Sequence, residues 1–402
     1  MLTTTPIMQL GRKILRFTLP VWISLSLAAA SGPWYKKEKE ISGTNLSGQS
    51  LQTDIRAFTV SPDGLLLAAL YESRSSSGCG VWLALYNLHK DSVDRRVEIA
   101  GQCASAAYLA GGIHQAVSFT SDQKFIIVQN TRSVSVLDAV SFRTLYSAVS
   151  HAPGFQIPVH AESSIAASRL LLTYSDGNTF STAFHNEVLD LSSGRQIAEW
   201  KSSGIPQSIS PDAKLVIAPD LTTYNAGGVS ELQMIDLTTG AVLKKLTLNY
   251  GFHHRRRNET GSVTARFLDN AQIVISPDNM LDHNGRHSGY SLDIINLDTK
   301  QTVHKITPEN FGPTGELVVS PDRTYFATVS VPVKPGSTRE PGNTGARTEL
   351  LIWDNGPSYT MRMIGGLESY GLTSNDLLPS ISRDSSVVAL AQAGKIQIFK
   401  KS

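Results

Sequence analysis

The sequence lacks an excess of charge of either sign. It has 36 basic and 34 acidic residues among 402. Residues 1–30 hold three basic and no acidic residues, so 33 basic and 34 acidic residues remain without them, a net charge of −1. A nucleic-acid-binding protein needs a large basic excess to neutralise phosphates. We therefore predict no nucleic-acid partner.

The short motifs of the common enzyme classes are also missing. The chain contains no G-x-S-x-G elbow, no H-E-x-x-H pair, no P-loop and no G-x-G-x-x-G that follows a strand and opens a helix. Those patterns present a nucleophile, a zinc ion or a phosphate-binding loop. We therefore assign no catalytic residue, no metal ligand and no cofactor.

Long apolar segments are missing as well. The uncharged stretch 17–30 follows three basic residues, contains Pro20 and ends in three alanines. This order is typical of a secretory signal peptide, and the stretch is too short to span a bilayer comfortably. We predict that residues 1–30 are removed and that the mature chain is secreted or periplasmic, without membrane insertion. An uncleaved N-terminal anchor is the alternative.

A six-residue pattern recurs along the chain. Its copies are TVSPDG (59–64), SFTSDQ (118–123), the degenerate SIAASR (164–169), SISPDA (208–213), ARFLDN (265–270), VVSPDR (318–323) and SISRDS (380–385). Each copy is a polar turn in which Pro, Asp and Gly suit the turn corners, and each is followed by a continuous apolar run typical of a buried strand.

A second pattern follows each copy. It is a strand that in most units ends in an Asp or Asn turn, as in LQMIDLTTG (232–240), and is followed by a further short strand. Each unit is thus four antiparallel strands over about 50 residues. We predict an all-β fold, a single seven-bladed β-propeller over residues 31–402 with blades that start near 57, 115, 162, 206, 263, 316 and 378.

These turns carry a family resemblance. The S-P-D-G turn before an apolar strand resembles the WD40-like propeller repeats of bacterial exported proteins, and the "IDLTTG" turns resemble YVTN-type and amine-dehydrogenase-type repeats. The resemblance covers residues 57–402. It implies the propeller fold but little about function, because such propellers bind and catalyse very different things.

The last unit is one strand short at the C-terminus. The segment WYKKEKEIS (34–42) precedes the first unit without another partner. We predict that it supplies the outer strand of the last blade and closes the ring, because an open ring would leave an exposed strand edge. A disordered leader is the alternative.

The two cysteines fall in the first unit. A hairpin turn around residues 90–92 would place Cys79 opposite Cys103. Export into an oxidising compartment permits a disulfide there, which we predict. Two free thiols, kept apart by a one-residue bulge, are the alternative.

The candidate ligand-binding residues lie in long insertions. The expected insertions are 71–80, 220–230, 249–262, 276–291 and 330–349, all on one face of the ring. Long loops on a rigid scaffold commonly carry binding residues, and arginine pairs with carboxylate, phosphate or sulfate through two hydrogen bonds. The predicted anion-binding residues are His253, His254, Arg255, Arg256, Arg257, His283, Arg286 and His287.

Two other interpretations of these basic residues remain open. They could form a solvated loop surface that Glu259 and Asp282 partly neutralise. A metal site made by His253, His283 and His287 with Asp282 lacks the helical spacing that such a motif needs.

The function that follows is a non-catalytic exported scaffold. We predict that it is a monomer that binds a protein partner or an acidic small ligand through the loops of blades 4–6. The alternative is a propeller enzyme, similar to lactonases or to quinoprotein and amine dehydrogenase subunits, which acts at the same face or in the central channel. A purely structural module of an envelope assembly is a third possibility.

Overall fold

The computed structural model describes most of the chain after residue 34. The described residues are 35–48, 52–75, 78–99, 103, 115–177, 183–220, 222, 231–248, 264–276, 291–306, 311–332, 348–357, 359, 361–367, 379–392 and 395–402. All of them belong to the compact unit Pro33–Ser402, and the predicted signal peptide lies outside them. In these ranges no helix has the length and apolar character needed to cross a membrane.

The described residues form seven four-stranded antiparallel sheets, which we call blades 1 to 7. The chain begins with β1 (Tyr35–Ser42) and the short helix α1 (Gly43–Ser47). Blades 1 to 3 contain β2 (Gln52–Val60), β3 (Leu66–Ser75), β4 (Gly78–Asn87), β5 (Ser92–Glu98), β6 (Ala116–Phe119), β7 (Phe125–Gln129), β8 (Val134–Asp138), β9 (Thr144–Ala148), β10 (Ile157–Ser164), β11 (Arg169–Ser175), β12 (Phe184–Asp190) and β13 (Gln196–Ser202).

Blades 4 to 7 continue the same pattern. They contain β14 (Ser208–Ile209), β15 (Leu215–Pro219), β16 (Glu231–Asp236), β17 (Val242–Thr247), β18 (Thr264–Phe267), β19 (Gln272–Ser276), β20 (Leu292–Asn296), β21 (Gln301–Ile306), β22 (Phe311–Val319), β23 (Tyr325–Pro332), β24 (Thr348–Asp354), β25 (Met361–Leu367), β26 (Ser380–Ile381), β27 (Val387–Gln392) and β28 (Lys395–Lys401).

The first strand of each blade is the innermost. β2 contacts both β6 and β26, and β14 contacts both β10 and β18, whereas the later strands pair outward in chain order. The seven sheets therefore stand in a ring, and the predicted seven-bladed β-propeller is confirmed.

The N-terminal strand closes the ring, as predicted. The strand order in blade 7 is β1-β28-β27-β26, and β1 runs antiparallel to β28 from the pair Tyr35–Lys401 to the pair Ser42–Lys395. Ile41 is fully buried in an apolar cluster that joins blades 7 and 1. Two acidic side chains of β1 pair with β28, Glu38 with Lys400 and Glu40 with Lys395, whereas Lys39 pairs with Asp91 of blade 1.

The repeated hexapeptide forms the same turn in most blades. In blade 4 the Ser210 hydroxyl donates to Asp212 at 2.7 Å, and the Leu215 amide donates back to the Ser210 oxygen at 2.9 Å. Five copies place their sixth residue in the left-handed region, at Gly64, Gln123, Ala213, Arg323 and Ser385. The turn thus fixes an unusual backbone conformation through side-chain hydrogen bonds, which explains why the chain repeats it.

Apolar side chains fill the spaces between neighbouring blades. One cluster joins blades 1 and 2, another joins blades 4 and 5, and a third joins blades 6 and 7. Trp353, the largest fully buried side chain among the described residues, stacks on Phe326 with ring centroids 5.6 Å apart. Since each blade buries both faces against its neighbours, the second strand of each blade has the continuous apolar run seen in the sequence.

Blade 1 differs from the prediction in the hairpin of β3 and β4. Residues 71–80 were expected to form a loop, but β3 and β4 pair through Arg74–Cys79 to Ser75–Gly78. The polar serines of this segment suggested a loop, but backbone pairing extends the β3–β4 hairpin as far as Ser75 and Gly78. The prediction that 71–80 is a loop is therefore wrong.

The predicted disulfide between Cys79 and Cys103 is present, with Cα atoms 6.1 Å apart. The expected register is not. Trp82 faces Glu98, two residues earlier than the prediction required, and a bulge lies between Leu85 and Tyr86. Cys103 consequently lies beyond the end of β5, and the bridge ties the connection between blades 1 and 2 to the hairpin.

Candidate functional site

The two faces of the ring differ in regularity. Connections between the first and second strands of a blade, and between the third and fourth, all have four to six residues. We call their side the turn face. Connections between the second and third strands, and from one blade to the next, vary from the short 76–77 to the long 99–115. Because antiparallel strands reverse at every connection, this second set lies on the opposite side, the loop face.

Blades 4 to 6 carry most of the long connections. Four of the six longest lie there, at 220–230, 248–263, 277–291 and 333–347. These three blades are consecutive neighbours, since β18 contacts both β14 and β22. The other two long connections are 99–115 and 368–379, which the sequence reasoning did not single out.

The eight predicted anion-binding residues belong to two of these connections. Five lie between β17 and β18, and three lie between β19 and β20. All of them, and Asp282 of the alternative metal site, lie outside the described residues. The described residues instead define the base from which the two connections leave the ring.

Asp220 anchors this base on the loop face of blade 4. Its buried carboxylate accepts hydrogen bonds from the Thr222 hydroxyl at 2.6 Å, Gln233 Nε2 at 2.7 Å and Lys245 Nζ at 2.9 Å. Burial alone would raise the pKa of Asp220, but hydrogen bonds from Thr222 and Lys245 outweigh it and hold the pKa well below its usual range. An ionised, fully bonded carboxylate therefore fixes the start of connection 220–230 and the outer strand β17.

A second polar group lies among the inner strands of blades 3 to 6, and we call it the inner cluster: His160, Glu162, Ser208, Arg266 and Arg323. Glu162 Oε1 accepts from the Ile209 amide at 3.1 Å, and Glu162 Oε2 lies 3.4 Å from His160 Nε2. The Glu162 side chain is 24% exposed, so this group is partly open to water among the inner strands.

The charges of the inner cluster support one another. Burial would raise the pKa of Glu162, but the His160 imidazole and the positive charges of Arg266 and Arg323 outweigh it, so the pKa is lowered. Arg266 donates to the carbonyl of Gln207 in the neighbouring blade. The cluster thus combines an ionised carboxylate with guanidinium groups that backbone carbonyls also engage.

Two arginines of the turn-face hexapeptides bridge blades that are not neighbours. Arg323 of blade 6 donates to the Phe267 carbonyl at 2.6 Å and to the Ile209 carbonyl of blade 4 at 2.9 Å. Arg383 of blade 7 donates to the Ser121 carbonyl of blade 2. These bonds cross the inner strands on the turn face, so they cross-link the ring at that end of the channel.

Sequence reasoning missed the inner cluster. The sequence offered two signals. Arg323 is a charged residue at the last position of a hexapeptide, and Glu162 and Arg266 are charged residues within the strands β10 and β18. A single charge in a short strand indicates little by itself, and the partners come from different blades that lie far apart in the sequence. Chemically, the cluster cross-links the inner strands of blades 3 to 6 near the turn face.

One described group has the composition of a metal site. In the described part of the chain, only Glu72, Cys79 and Cys103 bring three ligand-type atoms within 4.8 Å of one another. The two sulfur atoms are bonded to each other, so they are not available as metal ligands in this state.

Comparison with known proteins supports the fold. No family model matches the chain, and no curated protein matches it in sequence. A chain of a mitotic checkpoint complex is 14% identical over 97% of this chain and 99% of that one, with a TM-score of 0.54. Raptor from Chaetomium thermophilum is 8% identical over 87% of this chain and 28% of that one, with a TM-score of 0.57.

A third similar structure is hydrazine synthase from Kuenenia stuttgartiensis. It is 15% identical over 88% of this chain and 78% of that one, and its TM-score of 0.40 is too low to support an argument. At these identities the similarity concerns the fold alone. The seven-bladed β-propeller is therefore shown, while the bacterial WD40-like and YVTN-type resemblance stays a prediction.

Proposed function

We propose that this protein is an exported, non-catalytic propeller scaffold that binds a protein partner or an anionic ligand through the loop face of blades 4 to 6. The observation that carries the proposal is the asymmetry between the faces. Every turn-face connection is short and nearly constant in length, whereas the long connections 220–230, 248–263, 277–291 and 333–347 leave the loop face of three adjoining blades. Variable loops on a rigid ring are the common arrangement of a binding surface.

The chemistry of these loops favours an anionic ligand. Residues 253–257 contribute two imidazoles and three guanidinium groups, and residues 283–287 contribute two imidazoles and one guanidinium group. Guanidinium groups form paired, charge-assisted hydrogen bonds with carboxylate, phosphate or sulfate. The ligand we propose is therefore an acidic small molecule or an acidic surface of a protein partner, bound by a monomeric propeller.

Two features support export. The N-terminal segment has the order of basic, apolar and small residues expected of a signal peptide. The Cys79–Cys103 disulfide is stable in an oxidising compartment such as the periplasm or the extracellular space. We accordingly propose a secreted or periplasmic location.

The test is capture by three purified proteins: the parent, the loop-face variant Arg255→Ala/Arg256→Ala/Arg257→Ala, and the turn-face control Lys124→Ala/Lys214→Ala. Lys124 and Lys214 have side chains that are 73% and 78% exposed, so the control removes exposed positive charge from the other face. Each protein is incubated with an extract of exported proteins and metabolites, and bound species are identified by mass spectrometry.

The expected result is a species held by the parent and by the turn-face control but lost from the loop-face variant. Equal capture by all three proteins would contradict the arginine site and leave the basic run as a solvated loop. Turnover of a captured small molecule would favour the enzyme alternative instead.

A further inference from the structure

The disulfide of blade 1 lies against a buried carboxylate. Glu72 of β3 has no solvent exposure, and one of its oxygen atoms lies within 4.8 Å of both the Cys79 and the Cys103 sulfur. Cys79 is exposed and Cys103 is partly exposed, so small reagents and ions can reach the sulfur atoms from solvent. A thiol-rich site with an entry path is thus present once the bridge is opened.

Contacts other than the bridge also position Glu72 and Cys103. Arg56 donates to Glu72 Oε2 at 2.7 Å, and Gln115 Nε2 donates to Glu72 Oε1 at 3.3 Å. Cys103 also packs against the apolar cluster between blades 1 and 2. Part of the geometry therefore does not depend on the sulfur–sulfur bond.

The local charges suit two thiolates. Arg74 is the direct cross-strand neighbour of Cys79, and its guanidinium lies 3.7 Å from the Glu72 carboxylate. Two thiolates, one carboxylate and a divalent cation carry one net negative charge, which Arg56 and Arg74 offset.

We propose that reduction of the Cys79–Cys103 disulfide creates a binding site for Zn²⁺ whose ligands are the two thiolates and Glu72. A thiol or phosphine reductant supplies two electrons and is itself oxidised, and two protons convert the bridge into two thiols. Binding of Zn²⁺ then releases those two protons. Zinc sites of this kind have four ligands, with sulfur about 2.3 Å and carboxylate oxygen about 2.0–2.2 Å from the metal, so a water molecule completes the set.

Two described residues of connection 99–115, which joins blade 1 to blade 2, reach this place. Cys103 does so through the disulfide, and Gln115 does so through its hydrogen bond to Glu72.

The experiment measures zinc bound by the full chain in equilibrium dialysis, with a phosphine reductant in excess and metal read by mass spectrometry. Four samples are compared: the oxidised parent, the reduced parent, the reduced Cys79→Ser/Cys103→Ser variant and the reduced Glu72→Gln variant. We expect one equivalent of zinc on the reduced parent and none on the oxidised parent or the double serine variant. Glu72→Gln should weaken zinc binding at least ~10-fold, the size seen for loss of supporting groups in metal sites.

A second readout separates site loss from unfolding. Cobalt in place of zinc gives a thiolate-to-metal charge-transfer band only when cysteine sulfur binds the metal, and circular dichroism reports whether each variant keeps its sheet content. Equal zinc on the reduced parent and the folded double serine variant would overturn the proposal, as would cobalt binding without the charge-transfer band. A folded Glu72→Gln variant with unchanged affinity would overturn the assignment of the carboxylate as a ligand.

Discussion

The turn face and the loop face of this propeller are built from the same strands but by opposite rules. On the turn face a hexapeptide recurs, its serine and aspartate side chains fix the turn, and Arg323 and Arg383 cross-link blades that are not neighbours. On the loop face the connections differ widely in length from one blade to the next. The regular features of the chain thus hold the ring together and leave the connections of the opposite face free to vary.

The largest expected effect on stability comes from a substitution in β1, the strand that closes the ring. Ile41 of β1 is fully buried where blade 7 meets blade 1. Ile41→Ala leaves a cavity there and should lower the free energy of unfolding by about 3 kcal/mol. Denaturant unfolding measures this, with Lys37→Ala as the control because the Lys37 side chain is 45% exposed and should change stability by less than about 0.5 kcal/mol. Equal midpoints for the two variants would refute closure by β1.

The next effect is confined to the turn face. Arg323→Ala removes two charge-assisted hydrogen bonds and leaves the Phe267 and Ile209 carbonyls without this donor, so we expect a loss of about 2–3 kcal/mol in unfolding free energy. Arg323→Lys should not restore it, because one ammonium group cannot reproduce the two-pronged geometry. Arg132→Ala, at an exposed arginine, is the control. A loss no larger than that of the control would show that the cross-link contributes nothing.

A smaller effect is expected at the anchor on the loop face. Asp220→Asn removes the charge that Lys245 meets and should cost about 1–2 kcal/mol at neutral pH. The folded-state pKa of Asp220 lies below its ordinary value of 3.8, so its contribution is present above about pH 4 and is lost as the pH falls further. The variant should therefore lose less stability than the parent on acidification below that pH.

Asp298→Asn is the matched control for this measurement, because Asp298 pairs with Lys244 but its side chain is 77% exposed. It should change the stability and the acid profile by less than about 0.5 kcal/mol. Identical acid profiles for Asp220→Asn and the parent would mean that Asp220 does not hold the base of connection 220–230.

The smallest effect on stability is expected for the loop-face arginines themselves. Arg255→Ala/Arg256→Ala/Arg257→Ala should change the free energy of unfolding by less than about 0.5 kcal/mol, since surface substitutions away from buried contacts rarely do more. Thermal and denaturant unfolding of the variant and the parent test this. A loss as large as that expected for Arg323→Ala would indicate that these residues support the ring instead of a ligand.

Much of the fold could be predicted because its signals are local. A serine, proline and aspartate turn between apolar strands identifies a blade wherever it occurs, and the missing outer strand of blade 7 indicated that segment 34–42 closes the ring. The disulfide was predicted for the same local reason. Its register was not, because the turn between β4 and β5 covers residues 88–91 instead of centring on 91, so Tyr86 already faces Val93.

The inner cluster and the buried carboxylate of blade 1 could not be predicted in this way. Glu162 of blade 3 meets the charge of Arg323 from blade 6, and Glu72 meets Gln115 across the longest connection. Such contacts depend on the positions of the blades around the ring. The alternation of apolar and polar residues within one strand contains no information about those positions. The predicted anion-binding residues remain a proposal because they lie outside the described residues.

The most direct test of the central claim is a map of solvent protection on the complex with the species captured by the parent. Hydrogen exchange with mass spectrometry compares the free and bound chain over peptides that cover 249–263 and 277–290 and over the turn-face hexapeptides. Slower exchange in the two loop-face peptides with unchanged exchange at the turn face is the predicted result. Protection confined to the turn face or to the outer strands would contradict a binding surface on the loop face of blades 4 to 6.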